Sequence, residues 1–261
     1  MAITYWHKQN PDTPLFPDLI WSRPEQSTAR GKLLIIGGNQ YGFAAPADAY
    51  SVAIIAGVGT ARVLLPKVIK KVAGSMLETV AFAPNTPSGS FAKSALAELL
   101  DQALWADGIL LAGDLGHNSE TATLLDEFLE KYQGRVTLAN DAIGYSLGSP
   151  IHVLNRPETL LVVTMAQLQK LAINAHFESS FRYGMDLIHL VESLHIFTAK
   201  YLTKIIVKHQ NQLIVACNGQ ISTTQTPDDV QTWRTKTATQ ATIWWLQNPA
   251  KPFEALTTSA I

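Results

Sequence analysis

The sequence has a single cysteine among 261 residues and little charge, with 16% Asp, Glu, Lys and Arg and a formal net charge of −1. One cysteine excludes a disulfide within the chain and a zinc site built from thiolates. Lys and Arg are not clustered beyond a short run at 67–71, which excludes an obvious nucleic-acid-binding surface. We expect Cys217, inside the apolar run at 213–217, to be a buried structural thiol.

Patterns that mark a compartment or a metal site are also missing. The first residues lack the charged start and continuous apolar stretch of a signal peptide, and no window approaches the ~20 apolar residues of a membrane span. The histidines are scattered, without the pair spacing of a zinc motif on a helix. The sequence therefore predicts a cytoplasmic protein with no membrane partner, no nucleic-acid partner and no bound metal of its own.

Proline and polar residues dominate residues 1–31, whereas apolar runs begin at residue 32. Because the residue before proline avoids the helical region, we predict an extended N-terminal arm over 1–31. Its large side chains Trp6, Phe16 and Trp21 are expected to pack on the rest of the protein. No linker-like stretch follows, so 32–261 is predicted to be one domain.

Short apolar runs alternate with helical patterns from residue 32 onwards, which is typical of a mainly parallel sheet built from βαβ units. Continuous apolar runs predict strands buried on both faces, and the sequences between them have helical composition or spacing. The predicted strands lie at 32–36, 59–65, 79–83, 108–112, 135–139, 159–164, 205–208 and 212–216. The predicted helices lie at 44–56, 66–74, 90–105, 119–132, 165–172, 185–202 and 238–246.

Three loops that follow strand ends are candidates for ligand contacts. Gly37-Gly38-Asn39 follows the first strand, Asp114 and Gly116 follow the strand at 108–112, and Asp141 follows a later one. Ligands of open parallel sheets bind at the carboxyl ends of strands, where glycines and a helix N-terminus bring backbone N–H groups to a phosphate. The alternatives are a tight turn at the glycines, a turn residue at Asp114 and a cap at Asp141.

A lysine at the end of a later strand is a further candidate. Lys208 closes the run at 205–208, beside His209. A cation at a strand end suits a nucleotide phosphate, and the alternative is a surface lysine on an edge strand.

The order of these motifs resembles the ADP/ATP-dependent NAD(P)H-hydrate dehydratases, which are carbohydrate-kinase-like repair enzymes of the ribokinase superfamily. The most specific part is 32–59, where Lys-Leu-Leu-Ile-Ile-Gly-Gly-Asn is followed by Ala45-Pro46 and an alanine-rich helix. Gly116 falls at the family's second glycine loop, 140–142 at its Asp-Ala-Asp-Ala strand end, and Lys208 on its nucleotide-contacting strand.

The resemblance implies a three-layer α/β/α ribokinase-like domain with a mainly parallel central sheet. It implies an enzyme that removes water from hydrated NAD(P)H, with ADP or ATP as cofactor, and it is compatible with Mg²⁺ and with a homo-oligomer. The substrate, a small molecule derived from NAD(P)H, would be bound at Gly37, Gly38, Asn39, Ala45, Gly116 and Asp141. The resemblance places the nucleotide at Lys208, and we expect the side chains of Lys236 and Thr237, with Arg234, to bind its anionic part.

The C-terminal part departs from the family and leaves three hypotheses open. The family has Gly-Thr-Gly-Asp there, with its Asp falling near Ala238, whereas this chain has no glycine and no carboxylate between Asp229 and Glu254. Asp114 also adds negative charge to the second glycine loop. The hypotheses are a diverged dehydratase, a catalytically impaired nucleotide-binding or interaction protein, and a small-molecule kinase. The kinase is the least favoured because its base is missing.

Overall fold

The computed structural model describes residues 4–73, 79–226 and 233–261. Ten β-strands lie within these ranges: β1 (Trp6–Gln9), β2 (Lys32–Gly37), β3 (Thr60–Pro66), β4 (Val80–Ala83), β5 (Gly108–Gly113), β6 (Arg135–Leu138), β7 (Thr159–Val163), β8 (Lys204–His209), β9 (Gln212–Cys217) and β10 (Gln220–Gln225).

The same ranges contain eleven α-helices, some of them a single turn long. They are α1 (Pro17–Trp21), α2 (Ala44–Ile55), α3 (Lys70–Ala73), α4 (Leu96–Trp105), α5 (Ser119–Lys131), α6 (Ala142–Ser146), α7 (Ile151–Leu154), α8 (Met165–Asn174), α9 (Leu187–Lys200), α10 (Trp233–Gln247) and α11 (Pro252–Thr258). Three short 3₁₀ segments precede β2, α3 and α4. No helix in the described ranges combines the length and apolarity needed to cross a membrane.

The strands form one sheet in the order β1-β10-β9-β8-β7-β6-β5-β2-β3-β4. Every described strand pairing is parallel except the two made by β9. The strand order reverses between the branch that runs from β2 to β3 and the branch that runs from β5 to β8. Such a reversal opens a crevice at the carboxyl ends of the strands, which is where α/β proteins bind ligands. The sheet confirms the predicted α/β class.

Helices cover both faces of the sheet, as β2 shows. Leu34 and Ile36 belong to a core that includes α4, α5, α8 and α9, whereas Leu33 and Ile35 belong to a second core that includes α2, α10 and α11. All four side chains are fully buried. Burial of an aliphatic side chain contributes roughly 1.5–3 kcal/mol, so a continuous apolar strand is stable only when both faces are covered.

The N-terminal arm contributes a strand to the sheet edge. In β1, Trp6 pairs with Ile221 and Gln9 with Thr224, in parallel with β10. Phe16 packs edge-on against Phe253 of α11, at 6.1 Å between ring centroids. The expected packing of Trp21 is wrong, since this side chain is 85% exposed.

Several predicted helix boundaries are also wrong. The helix predicted at 90–105 begins only at Leu96, because residues 85–92 form a turn with a bridge between Asn85 and Phe91. The segment predicted at 66–74 is a 3₁₀ turn followed by α3, and residue 74 lies outside the described ranges. Helix α10 is described from Trp233, five residues before its predicted start at Ala238.

Candidate functional site

The ends of β2 and β5 approach so closely that side chains are excluded between them. The backbone N–H of Gly38 donates to the carbonyl of Gly113 at 3.0 Å. A Cβ added at Gly37 would lie 2.4 Å from that carbonyl oxygen. Gly38 has φ +86°, in the left-handed region that favours glycine. The predicted glycine turn is therefore a tight turn packed against the end of β5.

Asp114, in the turn after β5, caps helix α2 across the site. Its Oδ2 accepts a hydrogen bond from the backbone N–H of Ala45 at 2.7 Å. Asn39 Nδ2 donates to the Asp114 carbonyl at 2.6 Å, which joins the two loops. Phe43, the residue before α2, makes no side-chain cap bond, so a long-range carboxylate supplies the anion that a helix N-terminus favours.

Asp141 holds the same turn from the other side. Its Oδ2 accepts from the backbone N–H groups of Leu115 at 2.9 Å and Gly116 at 3.2 Å. Its Oδ1 is buried without a hydrogen-bond partner. Burial raises the pKa of Asp141, the negative charge of Asp114 adds to this, and the Leu115 and Gly116 N–H bonds oppose it. Asp141 is thus a cap, but for the turn after β5 rather than for its own helix α6.

Asn140 connects three elements at the carboxyl end of β6. Its Nδ2 donates to the Ala112 carbonyl at 2.7 Å and to Thr235 Oγ1 in α10 at 2.9 Å. Its own carbonyl accepts from Gln167 Nε2 at 2.8 Å. Gln167 in turn forms a capping box with Thr164 at the start of α8. The residue has φ +54°, which asparagine tolerates better than most side chains do.

These residues surround a cavity of about 510 Å³, which we call the acidic cavity. Its lining carries three carboxylates and a single guanidinium, so it offers mainly hydrogen-bond acceptors. The lining residues are Ala45, Asp48, Asp114, Asn140, Asp141, Gln167, Arg234 and Thr235.

A second cavity of about 370 Å³, which we call the lysine cavity, lies on the other side of the first turn of α10. Its lining combines two ammonium groups with hydroxyl and apolar side chains. The lining residues are Lys208, Leu213, Thr226, Trp233, Lys236, Thr237, Gln240, Ser259, Ala260 and Ile261.

The structure separates the sequence-predicted site residues into three groups. Ala45 and Asp141 line the acidic cavity, and the three predicted nucleotide contacts, Lys208, Lys236 and Thr237, line the lysine cavity together. The remaining predicted residues line neither cavity. They form the turns behind the acidic cavity and are Gly37, Gly38, Asn39 and Gly116.

Ala238, the position near which the family's Asp was expected, is fully buried and lines neither cavity. Arg234 and Thr235, four and three residues earlier, face the acidic cavity instead. Asp228 and Asp229 lie outside the described residues.

Asp48 and Gln167 are among the residues of the acidic cavity that were not predicted from the sequence. Asp48 is in the second turn of α2 and carries no local motif. Gln167 did have a signal, since Thr164-x-x-Gln167 is a capping-box pattern that marks the start of a helix directly after a strand. That pattern would have placed the Gln167 amide at the carboxyl end of β7.

Comparisons with known proteins identify the fold. No protein-family model matches the sequence, and no curated protein matches it. Among solved structures, a ribokinase-like superfamily protein from Enterococcus faecalis aligns with a TM-score of 0.74 at 14% identity, over 99% of this chain and 87% of that one. The chain has a ribokinase-like fold.

Two further structures show what this ribokinase-like fold carries in other proteins. The ADP/ATP-dependent NAD(P)H-hydrate dehydratase of Bacillus subtilis, co-crystallised with ATP/Mg²⁺ and soaked with CoA, aligns with a TM-score of 0.60 at 14% identity, over 94% of this chain and 85% of that one. A phosphomethylpyrimidine kinase from Clostridium difficile aligns with a TM-score of 0.54 at 11% identity, over 88% and 97%. These comparisons confirm the predicted resemblance at the level of the fold.

The ribokinase-like core holds no dedicated metal cage among the residues described. No group of three His, Cys, Asp or Glu side chains in these ranges is arranged to hold a metal ion. The sequence 144–148 matches the Gly-x-Ser-x-Gly pattern of serine hydrolases, but Ser146 ends helix α6 and is 6% exposed. A nucleophile elbow requires an exposed serine on a strand-to-helix turn, so this match is not a catalytic motif.

Proposed function

We propose that this protein binds an adenine nucleotide in the lysine cavity and a small molecule in the acidic cavity, and that it is a diverged relative of the NAD(P)H-hydrate dehydratases with a weakened chemical step. The observation that carries the proposal is the position of α10. Arg234 and Thr235 line the acidic cavity, while Lys236 and Thr237, the next residues, line the lysine cavity. A nucleotide and a second ligand would therefore meet across one helical turn.

The lysine cavity has the chemistry that an adenine nucleotide needs. Lys208 and Lys236 supply positive charge for phosphates, and the Thr237 hydroxyl supplies a donor. Trp233 and Leu213 provide apolar surface for a base. Since the described residues hold no metal cage, Mg²⁺ accompanying the nucleotide would be held by its phosphates and by water, which is common for this ion.

The weakened chemistry follows from α10 and the turns that face it. Removal of water requires a proton for the departing hydroxyl, and a positioned acid–base group contributes typically about 10²–10⁴-fold. The first turn of α10, Trp-Arg-Thr-Lys, contains neither a carboxylate nor a glycine. Asp114 and Asp141 line the acidic cavity, but both are bound to backbone N–H groups. The same lack of a base on α10 makes a kinase the weaker interpretation.

Isothermal titration of the full chain with ADP, ATP and AMP tests nucleotide binding. We expect ADP or ATP to bind the parent, and Lys236→Gln to weaken binding by about 10–100-fold, as expected for the loss of a hydrogen bond to a charged group. Lys170→Gln, an exposed lysine of α8 that lines neither cavity, is the matched control and should leave affinity unchanged. Failure of the parent to bind any of the three nucleotides would refute the proposal.

Turnover is measured separately with hydrated NADH and saturating ADP, by the return of the absorbance of reduced nicotinamide. We expect nucleotide binding with turnover lower than that of the Bacillus subtilis dehydratase by about 10²–10⁴-fold, the contribution of one acid–base group. A rate equal to that enzyme's would show that the chemical step is not weakened.

A further inference from the structure

The N-terminus of α2 lies at the wall of the acidic cavity, and a backbone N–H group in its first turn already donates to an acceptor of the chain. Helix N-termini after glycine turns bind phosphate because their N–H groups are unpaired and the helix dipole favours an anion. Here the N–H of Ala45 is bonded to Asp114 Oδ2 at 2.7 Å. Asp114 has φ +57°, a conformation that disfavours side chains other than those of Asn and Asp. A carboxylate of the chain thus occupies the place that a phosphate oxygen would take.

The second set of backbone donors at this wall is used in the same way. Leu115 N–H and Gly116 N–H, in the turn after β5, both donate to Asp141 Oδ2. A phosphate entering the cavity would find these donors taken and would meet the charges of Asp48, Asp114 and Asp141 against Arg234 alone. Like charges repel one another, and more strongly beside the half-buried carboxylates of Asp114 and Asp141 than in open water.

On the basis of the proposed function, we infer that the acidic cavity takes the unphosphorylated, donor-bearing end of its ligand, and that Asp114 is the residue that excludes phosphate. The groups accepted are hydroxyl, carboxamide or ammonium, since the wall offers carboxylate and amide oxygens. The phosphates of a larger ligand such as hydrated NAD(P)H lie outside this cavity.

A pair of probes that differ by one phosphate tests the specificity. Nicotinamide riboside and nicotinamide mononucleotide are titrated into the full chain with ADP present. We expect the riboside to bind the parent about tenfold more tightly than the mononucleotide, because the phosphate would meet like charges at the cavity wall and 1.4 kcal/mol of repulsion corresponds to this factor. Absence of riboside binding, or equal affinity for the two probes, overturns the inference. Binding of the mononucleotide that appears only with Mg²⁺ also overturns it, since a cation would then be masking Asp114.

Substitutions at Asp114 distinguish the effect of freeing the Ala45 N–H from the effect of removing the Asp114 negative charge. Asp114→Gly accepts the positive φ and frees the N–H of Ala45, so inorganic phosphate and the mononucleotide should bind at least about tenfold more tightly than to the parent. Asp114→Asn tolerates the same φ and still accepts from Ala45, so its gain should be smaller. Asp48→Asn removes one charge from the cavity without freeing a donor, and is the matched control.

The two proposals fail in different ways. Unchanged phosphate affinity in folded Asp114→Gly, checked by thermal unfolding, would show that Asp114 does not exclude phosphate. If the parent does not bind ADP, the nucleotide site is refuted instead. This outcome is independent of the acidic cavity, because ADP is titrated first and without either nicotinamide probe.

Discussion

Replacing Asn140 by alanine should remove the hydrogen-bonded contact between the sheet and α10 and so destabilise the protein. The side chain donates to the Ala112 carbonyl and to Thr235 Oγ1, at 2.7 and 2.9 Å. Each hydrogen bond contributes about 1 kcal/mol. Alanine at φ +54° adds about 1–2 kcal/mol, because the left-handed region brings Cβ close to the following carbonyl. The sum predicts a loss of about 3–4 kcal/mol in the free energy of unfolding.

Thermal unfolding by circular dichroism measures this loss. A protein of this size changes its midpoint by about 2–4 °C per kcal/mol, so Asn140→Ala should unfold about 6–16 °C below the parent. Asn140→Gly removes the same hydrogen bonds but accepts the positive φ, and it should recover about 1 kcal/mol of the loss.

Thr235→Val isolates the bond to α10. It removes the acceptor of one Asn140 bond at a buried position and should cost about 1 kcal/mol by itself. The double variant with Asn140→Ala should cost less than the sum, since the shared bond can be lost only once. An unchanged midpoint in Asn140→Ala would show that the Asn140 contact does not stabilise the protein. If the free-energy losses of the two single variants add up to that of the double variant, the two side chains are not coupled.

The remaining predictions concern two titratable groups. Cys217 is 1% exposed and its burial raises its pKa to about 11, so a thiol reagent at pH 8 should react only after unfolding, and rapid reaction of the native protein would contradict this. Burial, and next the charge of Asp114, raise the pKa of Asp141. The unfolded chain therefore loses this proton first, and the folded state loses stability as pH rises above the ordinary aspartate value. Asp141→Asn lacks this dependence, so its unfolding midpoint relative to the parent should rise between pH 4 and pH 7. A constant difference would show that the folded-state pKa is not raised.

The buried strands were predictable because their signal is local. In β2, β5 and β7 every residue of the apolar run is buried, apart from the first residue of β2, and a continuous run is typical of a strand covered on both faces. β1 was not predictable in this way. Its sequence, Trp-His-Lys-Gln, has no apolar alternation, and it is a strand because it pairs with β10, more than 200 residues later.

The strand ends that line the acidic cavity could be predicted, and the contacts of their residues could not. The strand ends identified Asp114 and Asp141, but their bonds connect residues 69 and 26 positions apart in the chain. A single sequence contains the residue types without the contacts, so a ligand contact and a cap look the same in it. The caps are seen only when the Ala45 N–H and the turn after β5 are placed beside these carboxylates.

The same caps limit what the acidic cavity can do for catalysis. Catalysis by backbone donors requires N–H groups that stay free until charge develops on the substrate. At this wall the N–H groups of Ala45, Leu115 and Gly116 are bonded to the chain's own carboxylates before any ligand arrives. A carboxylate introduced on α10 would therefore supply an acid–base group without the electrostatic stabilisation that must accompany it. The weakened chemical step that we propose for this ribokinase-like protein would thus have two separate structural causes, and the lysine cavity across the same helical turn is affected by neither.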